Sequence, residues 1–396
     1  MISPVLPSYS RANLSFVKGE GSWLVEADGR RFLDFASGIA VMSLGHGHPK
    51  VVGALTEQAG ALWHTSNLYE VPQQKALAER LVEHTFADTV FFCNSGTEAA
   101  ELAIKMARKY RTETGAPDRM TILTFEGSFH GRSTGAISAA GSEKLTKGFG
   151  PLLPGFKTLP FGDHDALREA AAEPDVGAIM VEPIQGEGGI RPLPDQCLKG
   201  LRDICDEHGL LLILDEIQCG MGRTGRLFAH EWAGITPDIM LVAKGIGSGF
   251  PLGALLATEE AAKGMTAGTH GSTYGGNPLG CAVGCAVMDV MTEDGFLDSV
   301  AAKAGFLRQK LEGLVAAHPD IFESVRGEGL MLGLKCKIAP ADIVAEGYAQ
   351  GILTVPAADN ALRVLPALTI TEDELSEGVS RLDATASALS GRIAAE

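Results

Sequence analysis

The chain has 396 residues, of which 45% are hydrophobic and 21% are charged. These values are ordinary for a globular protein, argue against long disordered stretches, and leave room for two domains with a deep core. The formal net charge of −16 argues against nucleic acid or an anionic membrane surface as a partner. A local arginine site for a small carboxylate is still compatible with this charge.

The cysteines and the N-terminal residues bear on the compartment. Seven cysteines are scattered over the chain without a Cys-x-x-Cys pair, which argues against a disulfide framework or a structural zinc, and no metal site is expected. Met1–Arg11 contain no apolar core flanked by basic residues, so we expect no signal peptide. Pro278–Met288 is the most apolar helical stretch, but Asp289 ends it far short of a bilayer span. The sequence therefore predicts a cytoplasmic protein.

The first elements along the chain are a hairpin and two helices. Trp23–Val25 and Arg31–Asp34 flank the pair Asp28 and Gly29, which is typical of a tight hairpin turn. Spaced Val, Ala and Leu residues then predict two amphipathic helices, over Pro49–Leu62 and Gln73–Glu83.

A strand, loop and helix pattern is repeated in the middle of the chain. Each of five short apolar runs ends in polar residues, and alternation of strands with helices implies an α/β fold, a mostly parallel sheet with helices on both faces. Ligands of such sheets bind outside the carboxyl ends of the strands. The runs are Val90–Cys93, Met120–Leu123, Ala178–Val181, Leu211–Leu214 and Ile239–Ala243.

The composition changes again after about Thr273, where long helical stretches precede short strands and a closing helix capped by Thr371. This indicates a smaller α+β domain. We expect an N-terminal segment with the hairpin over residues 1–50, belonging to the small domain. A large domain with the ligand site should span residues 51–276, and a linking helix with the C-terminal small domain residues 277–396.

Two ionisable residues end buried runs. Leu211–Leu214 leads directly to Asp215, and Ile239–Ala243 leads to Lys244. Charged groups are costly at such positions unless they have a partner. An acid and an amine brought to one cleft suit pyridoxal phosphate, in which the lysine forms the Schiff base and the aspartate keeps the pyridine nitrogen protonated.

Two further loops hold candidate binding residues. Ser95, Gly96 and Thr97 lie between a strand and a helix, where N–H groups and the helix dipole favour a phosphate, although a plain N-cap explains the serine equally well. Phe129 suits stacking on a planar cofactor or packing in the core. Arg132 suits a substrate carboxylate or open solvent.

One motif points to a different function. Gly220–Gly225 matches the dinucleotide fingerprint G-x-G-x-x-G, and an NAD-dependent oxidoreductase is the remote alternative that it supports. Its context argues against it, because Glu216–Cys219 separate the strand end from the first glycine and no helix clearly opens after the last one. A catalytically inert protein on the same fold is a second alternative, which Lys244, Asp215 and Arg132 together oppose.

Six blocks of the chain occur in the order typical of one family. The sequence resembles the class III pyridoxal-phosphate aminotransferases from about Gly21 to the C-terminus. The resemblance implies a fold-type I transferase that is a homodimer, with its active sites at the subunit interface. The blocks are Asn94–Ala99, Phe129–Arg132, Val181–Gly189, Leu214–Gly225, Ala243–Gly245 and His270–Pro278.

The resemblance also implies roles around the cofactor. It makes Lys244 the Schiff-base lysine and Asp215 the partner of the pyridine nitrogen. It places Gln218 near the phenolic oxygen of the ring and Phe129 on its face, and it implies that Glu182 orients the cofactor or its neighbours. The phosphate is assigned to Gly96 and Thr97 of one subunit and to Thr273 of the other.

For substrates, the resemblance implies acetylornithine, 2-oxoglutarate and glutamate. Arg132, with Ser272 nearby, matches the residue for the α-carboxylate of acetylornithine and the distal carboxylate of 2-oxoglutarate. Arg363 matches the arginine for the α-carboxylate of glutamate, and Glu187 the acid that neutralises it when an ω-amine is bound. Relatives that act on succinylornithine, succinyldiaminopimelate, ornithine or 4-aminobutyrate differ at few pocket positions, so these substrates stay as alternatives.

Overall fold

The computed structural model describes residues 4–393 and builds them around a seven-stranded sheet. The strands are β1 (Phe16–Glu20), β2 (Trp23–Glu26), β3 (Arg31–Asp34), β4 (Thr89–Cys93), β5 (Thr121–Phe125), β6 (Phe156–Leu159), β7 (Val176–Val181), β8 (Ile184–Gln185), β9 (Arg191–Pro192), β10 (Leu211–Asp215), β11 (Ile239–Val242), β12 (Gly253–Ala257), β13 (Phe322–Glu328), β14 (Met331–Cys336), β15 (Ile352–Leu353), β16 (Val355–Ala357) and β17 (Ala361–Val364). The helices are α1 (Ser37–Ala40), α2 (Pro49–Ala61), α3 (Pro72–Glu83), α4 (Gly96–Glu113), α5 (Thr134–Ala140), α6 (Glu143–Thr146), α7 (His164–Ala171), α8 (Asp195–His208), α9 (Pro278–Met291), α10 (Phe296–Ala317), α11 (Pro340–Ala349) and α12 (Glu372–Ile393).

The large sheet has the strand order β4-β12-β11-β10-β7-β5-β6. β10 pairs in parallel with β7 and β11, and every residue of these three strands is buried. Helices cover both faces: Ile213 packs in one cluster with α4, whereas Leu212 and Leu214 pack in another with α8. A strand covered on both faces is apolar at every position, which is why the runs read as continuous rather than alternating.

The predicted α/β architecture is confirmed, but two strands of the sheet were not predicted. β12 runs antiparallel to both β11 and β4, and β6 forms the far edge. The apolar run of β12 carries no sign of its direction, because strand direction is set by the connection and not by side-chain pattern. β5 also lies later than predicted, at Thr121–Phe125 rather than Met120–Leu123.

The N-terminal segment joins the C-terminal part of the chain. β2 and β3 form the predicted antiparallel hairpin, and β15 adds to β3 in parallel. A separate sheet, in the order β13-β14-β17-β16, holds Arg363 on β17. The closing helix α12 begins after Thr371, which caps it as predicted: its hydroxyl accepts from the Glu374 N–H, and the Glu374 carboxylate accepts from the Thr371 N–H, which completes a capping box.

The helix α9 is the apolar stretch that the sequence singles out. It is buried along most of its length. Within residues 4–393, no helix combines the length and the apolar character that crossing a membrane requires.

Candidate active site

A cavity of about 420 Å³ lies at the carboxyl ends of β4, β5, β7, β10 and β11. This is where a mostly parallel sheet offers room for a ligand. It is lined by predicted site residues from five separate loops. They are Ser95, Gly96, Thr97, Phe129, Arg132, Glu182, Asp215, Gln218 and Lys244, and their neighbours Val41, Asn94, His130, Gly131, Ile217, Ala243 and Gly249–Leu252 complete the wall.

Asp215 is held from two sides at the floor of the cavity. Its side chain is 2% exposed; one carboxylate oxygen lies 2.7 Å from His130 Nδ1, and the other accepts from the Ile217 N–H at 3.1 Å. Burial by itself lowers the pKa of His130, but the hydrogen bond and charge of Asp215 raise it overall. The pair therefore holds the Asp215 carboxyl group in a fixed position where water is excluded.

Glu182 is the second buried acid of the cavity. It follows β7 directly and accepts from the backbone N–H groups of Phe129 at 2.9 Å and Gly186 at 3.3 Å. Burial, followed by the charge of Asp215, raises the pKa of Glu182 to about 7. Its shortest hydrogen bond fixes the loop that carries Phe129, and the role of Glu182 towards the cofactor stays a prediction.

Lys244 lies one residue beyond Ala243 at the end of β11. Its φ of 47° falls in the left-handed region, where a residue with a side chain is strained. Burial is the main cause that lowers the pKa of Lys244 to about 8; Glu187 opposes this shift and Arg363 adds to it. An amine with this pKa is partly uncharged near neutral pH, as a nucleophile requires.

The first turn of α4 forms one end of the cavity. Ser95 is its N-cap: the hydroxyl accepts from the Glu98 N–H at 3.4 Å and donates to the Glu98 carboxylate. A Cβ on Gly96 would lie 2.7 Å from Ile217, so that position has no room for a side chain. The N–H groups of Gly96 and Thr97 have no acceptor within the helix and suit an anion. Ser95 is therefore an N-cap, and the phosphate role of this turn stays a prediction.

Phe129 and Arg132 lie on the loop after β5. The Arg132 guanidinium is 5.5 Å from the centre of the Phe129 ring, and its side chain is exposed at the cavity mouth. The Thr97 hydroxyl accepts from the Arg132 N–H at 3.2 Å, which ties this loop to α4. A ring on the cavity wall and a free guanidinium at its mouth suit a planar cofactor and an acidic substrate, respectively.

Arg363 and Glu187 form a two-point ion pair beside the cavity. Arg363 is 1% exposed; its Nη1 and Nη2 donate to the two Glu187 carboxylate oxygens at 2.5 and 3.2 Å. Nη1 also lies 3.4 Å from the Gln218 side-chain oxygen, which connects the pair to the cavity wall. Glu187 is 34% exposed. The buried arginine is therefore neutralised by a carboxylate that has access to water.

Ser272 and Thr273 lie outside the cavity wall of a single chain. The Ser272 hydroxyl accepts from the Gly275 N–H at 3.0 Å and from the Asn94 amide at 3.2 Å, so only Asn94 joins it to the cavity. Thr273 is exposed. The structure thus brings together the other predicted residues and leaves these two at the surface.

The cavity residues fit pyridoxal phosphate. A buried acid on the floor, an amine at a strand end, an aromatic ring on the wall and a helix N-terminus are the features that this cofactor uses. His130 is the main residue to which the sequence assigned no role. It stands next to Phe129, but nothing in the sequence indicates that its ring meets Asp215, 85 positions further along the chain.

The glycine-rich motif does not bind a dinucleotide in this fold. Gly220–Gly225 forms turns closed by bonds such as Gly222 N–H to the Leu227 carbonyl, and the chain then continues into the short 3-10 helix Ala229–Trp232. The fingerprint requires a strand, a tight turn and a long helix in direct succession. The oxidoreductase alternative therefore loses its only support.

Known proteins agree with the geometry of the cavity. The family described as Aminotransferase class-III matches residues 7–386. The acetylornithine aminotransferase of Rhodobacter capsulatus is 67% identical over 98% of this chain and 99% of that protein, and that of Bacillus subtilis 42% identical over 96% and 97%.

Solved structures give the same result. The N-acetylornithine aminotransferase of Stenotrophomonas maltophilia has a TM-score of 0.85 and 40% identity, covering 98% of both chains. The ornithine aminotransferase of Toxoplasma gondii has a TM-score of 0.95 and 32% identity, covering 98% of this chain and 94% of that one. The chain belongs to the class III aminotransferases.

Proposed function

We propose that this chain uses pyridoxal phosphate to transfer the δ-amino group of N2-acetylornithine to 2-oxoglutarate, giving N-acetylglutamate 5-semialdehyde and glutamate, a step of arginine biosynthesis. The relatives with 50–67% identity that share the name acetylornithine aminotransferase support this substrate. A solved neighbour, the ornithine aminotransferase of Toxoplasma gondii, has pyridoxal phosphate at partial occupancy in its active site.

The cavity residues divide the work on the cofactor. Pyridoxal phosphate, when bound, supplies a ring that accepts the electrons of a substrate carbon–hydrogen bond. Asp215 would keep the ring nitrogen protonated, and His130 holds Asp215 in place. Gln218 would bind the phenolic oxygen, Phe129 would stack on the ring, and Gly96 and Thr97 would hold the phosphate.

Lys244 is both the attachment point and the proton carrier. Its Nζ is the group that would hold the cofactor covalently and that, once the substrate amine is bound instead, would be available to move a proton. With a pKa lowered to about 8 by burial, this amine accepts and returns a proton near neutral pH at little cost.

The single observation that carries an ω-amine as the amino donor is the Arg363–Glu187 pair, and the preference for acetylornithine among ω-amines rests on the relatives. Acetylornithine presents an uncharged carbon chain behind its δ-amine, so a free buried guanidinium there would lack a partner. With Glu187 in place the charge is neutralised. Glutamate brings its own α-carboxylate, and Glu187 then moves into water. Arg132, with Ser272 nearby, takes the carboxylate at the other end of either substrate.

A homodimer completes the site. Large apolar side chains are exposed around Thr273, and such a patch marks a protein interface. The Asn67 side chain binds the Ser272 and Gly275 carbonyls, which joins the two segments into one surface. On this surface Thr273 would reach the cofactor phosphate of the partner subunit. The exposed side chains are Leu62, Trp63, Leu68, Tyr69 and Tyr274.

A comparison of amino donors tests the proposal. Acetylornithine, succinylornithine, ornithine and 4-aminobutyrate would each be supplied with 2-oxoglutarate, and kcat/KM measured. Acetylornithine should give the highest value. A higher value for ornithine or 4-aminobutyrate would assign the chain to another activity of the same family.

A further inference from the structure

The proposed chemistry makes no use of Arg223, a fully buried cation in the glycine-rich loop Gly220–Gly225. Arg223 is 2% exposed, and burial alone lowers its pKa to about 10; within residues 4–393 no carboxylate forms an ion pair with it. A buried guanidinium without an acid is costly. Such a cost is retained where the group has a task that an apolar residue cannot perform.

The guanidinium and the carbonyl oxygen of Arg223 bind residues at the strand ends of the sheet that carries Arg363. Its Nη1 donates to the carbonyl oxygens of Leu330 and Pro366, and its own carbonyl accepts from the Leu330 N–H at 2.9 Å. Leu330 precedes β14, and Pro366 follows β17 by two residues. A loop of the large-sheet region therefore holds two strand ends of the other sheet.

The position of Pro366 explains why an outside donor is needed. Leu332 pairs with Val364 in the antiparallel ladder of β14 and β17, so two residues further Leu330 comes opposite Pro366. Proline has no N–H and cannot continue the ladder. Buried carbonyl groups at this end require a donor from elsewhere, and the guanidinium of Arg223 supplies it.

The same loop also touches the cofactor side of the cavity. Gln218, five residues before Arg223, contacts Arg363, and a Cβ on Gly245, the neighbour of Lys244, would lie 2.9 Å from Met221. The loop thus lies between the lysine and the strand of the substrate arginine. A shift at Arg223 would move Arg363 relative to the cofactor without touching either.

We infer that Arg223 is a positioning residue: by closing the β14–β17 ladder at Leu330 and Pro366, it sets where Arg363 meets the α-carboxylate of the dicarboxylate substrate. This inference rests on the role proposed for Arg363. The glutamate half-reaction depends on it more than the acetylornithine half-reaction, in which Glu187 holds Arg363 from the other side.

The test compares Arg223→Met and Arg223→Lys with Arg226→Met, which removes an exposed arginine stacked on Trp232 in the same loop. Each half-reaction would be followed in single turnover, and binding of glutarate, a dicarboxylate that cannot react, by calorimetry. Both Arg223 variants should bind glutarate about tenfold more weakly and slow the glutamate half-reaction by a similar factor, with less than about threefold change for acetylornithine. Arg226→Met should change neither.

A second variant disrupts the contact between Arg223 and Leu330 from the side of the sheet that contains β14. Gly329 has a φ of 60°, and a Cβ there would lie 2.4 Å from the Arg223 carbonyl oxygen. Gly329→Ala should therefore weaken glutarate binding and slow the glutamate half-reaction in the same selective way. If Arg223→Met does not fold, Gly329→Ala and Arg223→Lys together test the inference. Equal losses in both half-reactions of the folded variants would overturn the inference.

A double-mutant cycle separates this inference from the proposed function. If Arg363→Ala shows no selective loss for glutamate, the role of Arg363 is wrong and the inference fails with it. If Arg363→Ala is selective, adding Arg223→Met should cause little further loss of glutarate binding, because both changes act through one group. Additive losses would mean that Arg223 acts elsewhere.

Discussion

The two ends of the cavity hold their charges in different ways. At the cofactor end, Asp215 and His130 are at most 2% exposed and bound to each other; Asp215 ends the fully buried strand β10, and His130 lies in the loop after β5. At the substrate end, Glu187 is 34% exposed and Arg132 is exposed at the mouth. A chemistry common to both half-reactions needs fixed charges, whereas a choice between two substrates needs a charge that moves at small cost. Buried strands supply the first, and loops near water the second.

Lys244→Ala is expected to have the largest effect, because it removes from the cofactor end the amine that attaches the cofactor and carries the proton. Turnover should fall by at least about 10⁴-fold, the upper range of acid–base catalysis. Steady-state rates and the cofactor absorbance would be measured, with Lys263→Ala, an exposed lysine paired with Glu260, as the control. A variant that kept full turnover and an unchanged absorbance would contradict the mechanism.

Asp215→Asn keeps the size of the side chain and removes its charge, so the ring nitrogen loses its partner. We expect a loss of roughly 10²–10⁴-fold in kcat, similar in both half-reactions, as for other buried carboxylates that support catalysis. Rates of both half-reactions would be compared with those of Asp289→Asn, an exposed aspartate bound to Arg80. A loss confined to one half-reaction would mean that Asp215 selects substrates.

Glu187→Ala should give a smaller and selective effect, because it leaves Arg363 charged and unpaired when acetylornithine binds. We expect about a tenfold loss, near 1.4 kcal/mol, in the acetylornithine half-reaction and little change with glutamate. Single-turnover rates of the two half-reactions measure it, and Glu187→Gln, which keeps the shape without the charge, is the matched variant. Equal losses with both substrates would contradict the proposal that Glu187 neutralises Arg363 only when acetylornithine is bound.

The two ends also differ in how far the sequence predicts them. Apolar runs ending in Asp215 and Lys244 reveal the cofactor end directly, because a strand buried on both faces tolerates a charge only at its end. The direction of β12 and the contact of His130 with Asp215 depend on how distant segments pair, which no local pattern encodes. The Arg363–Glu187 pair was accessible only through resemblance to a family, since its members lie 176 positions apart.

The glycine-rich loop shows the limit of motif reading most clearly. Gly220–Gly225 matches a dinucleotide fingerprint in spacing, yet its backbone closes turns and its arginine binds two carbonyl groups of another sheet. The spacing of glycines reports where the backbone turns sharply. The ligand of such a turn depends on what the fold brings next to it.

Glu182→Gln should have the smallest effect, and it tests whether the buried acid at the cofactor end lowers the stability of the protein. Burial raises the pKa of Glu182 to about 7, above its value in the unfolded chain, so the folded state binds this proton more tightly. Its contribution to the free energy of unfolding is therefore fully present below about pH 4.5 and is lost as the pH rises towards 7. The glutamine also offers an oxygen to the Phe129 N–H without a charge.

In the cofactor-free protein, Tm of the variant should equal that of the unchanged protein at pH 4.5 and exceed it by about 2 °C or more at pH 8. Glu57→Gln, at an exposed position of α2, should leave Tm unchanged at both pH values. If Glu182→Gln lowered Tm at pH 8, the ionised carboxylate would be a net stabilising group through its bonds to Phe129 and Gly186. The charge of Glu182 would then stabilise the cofactor end rather than destabilise it.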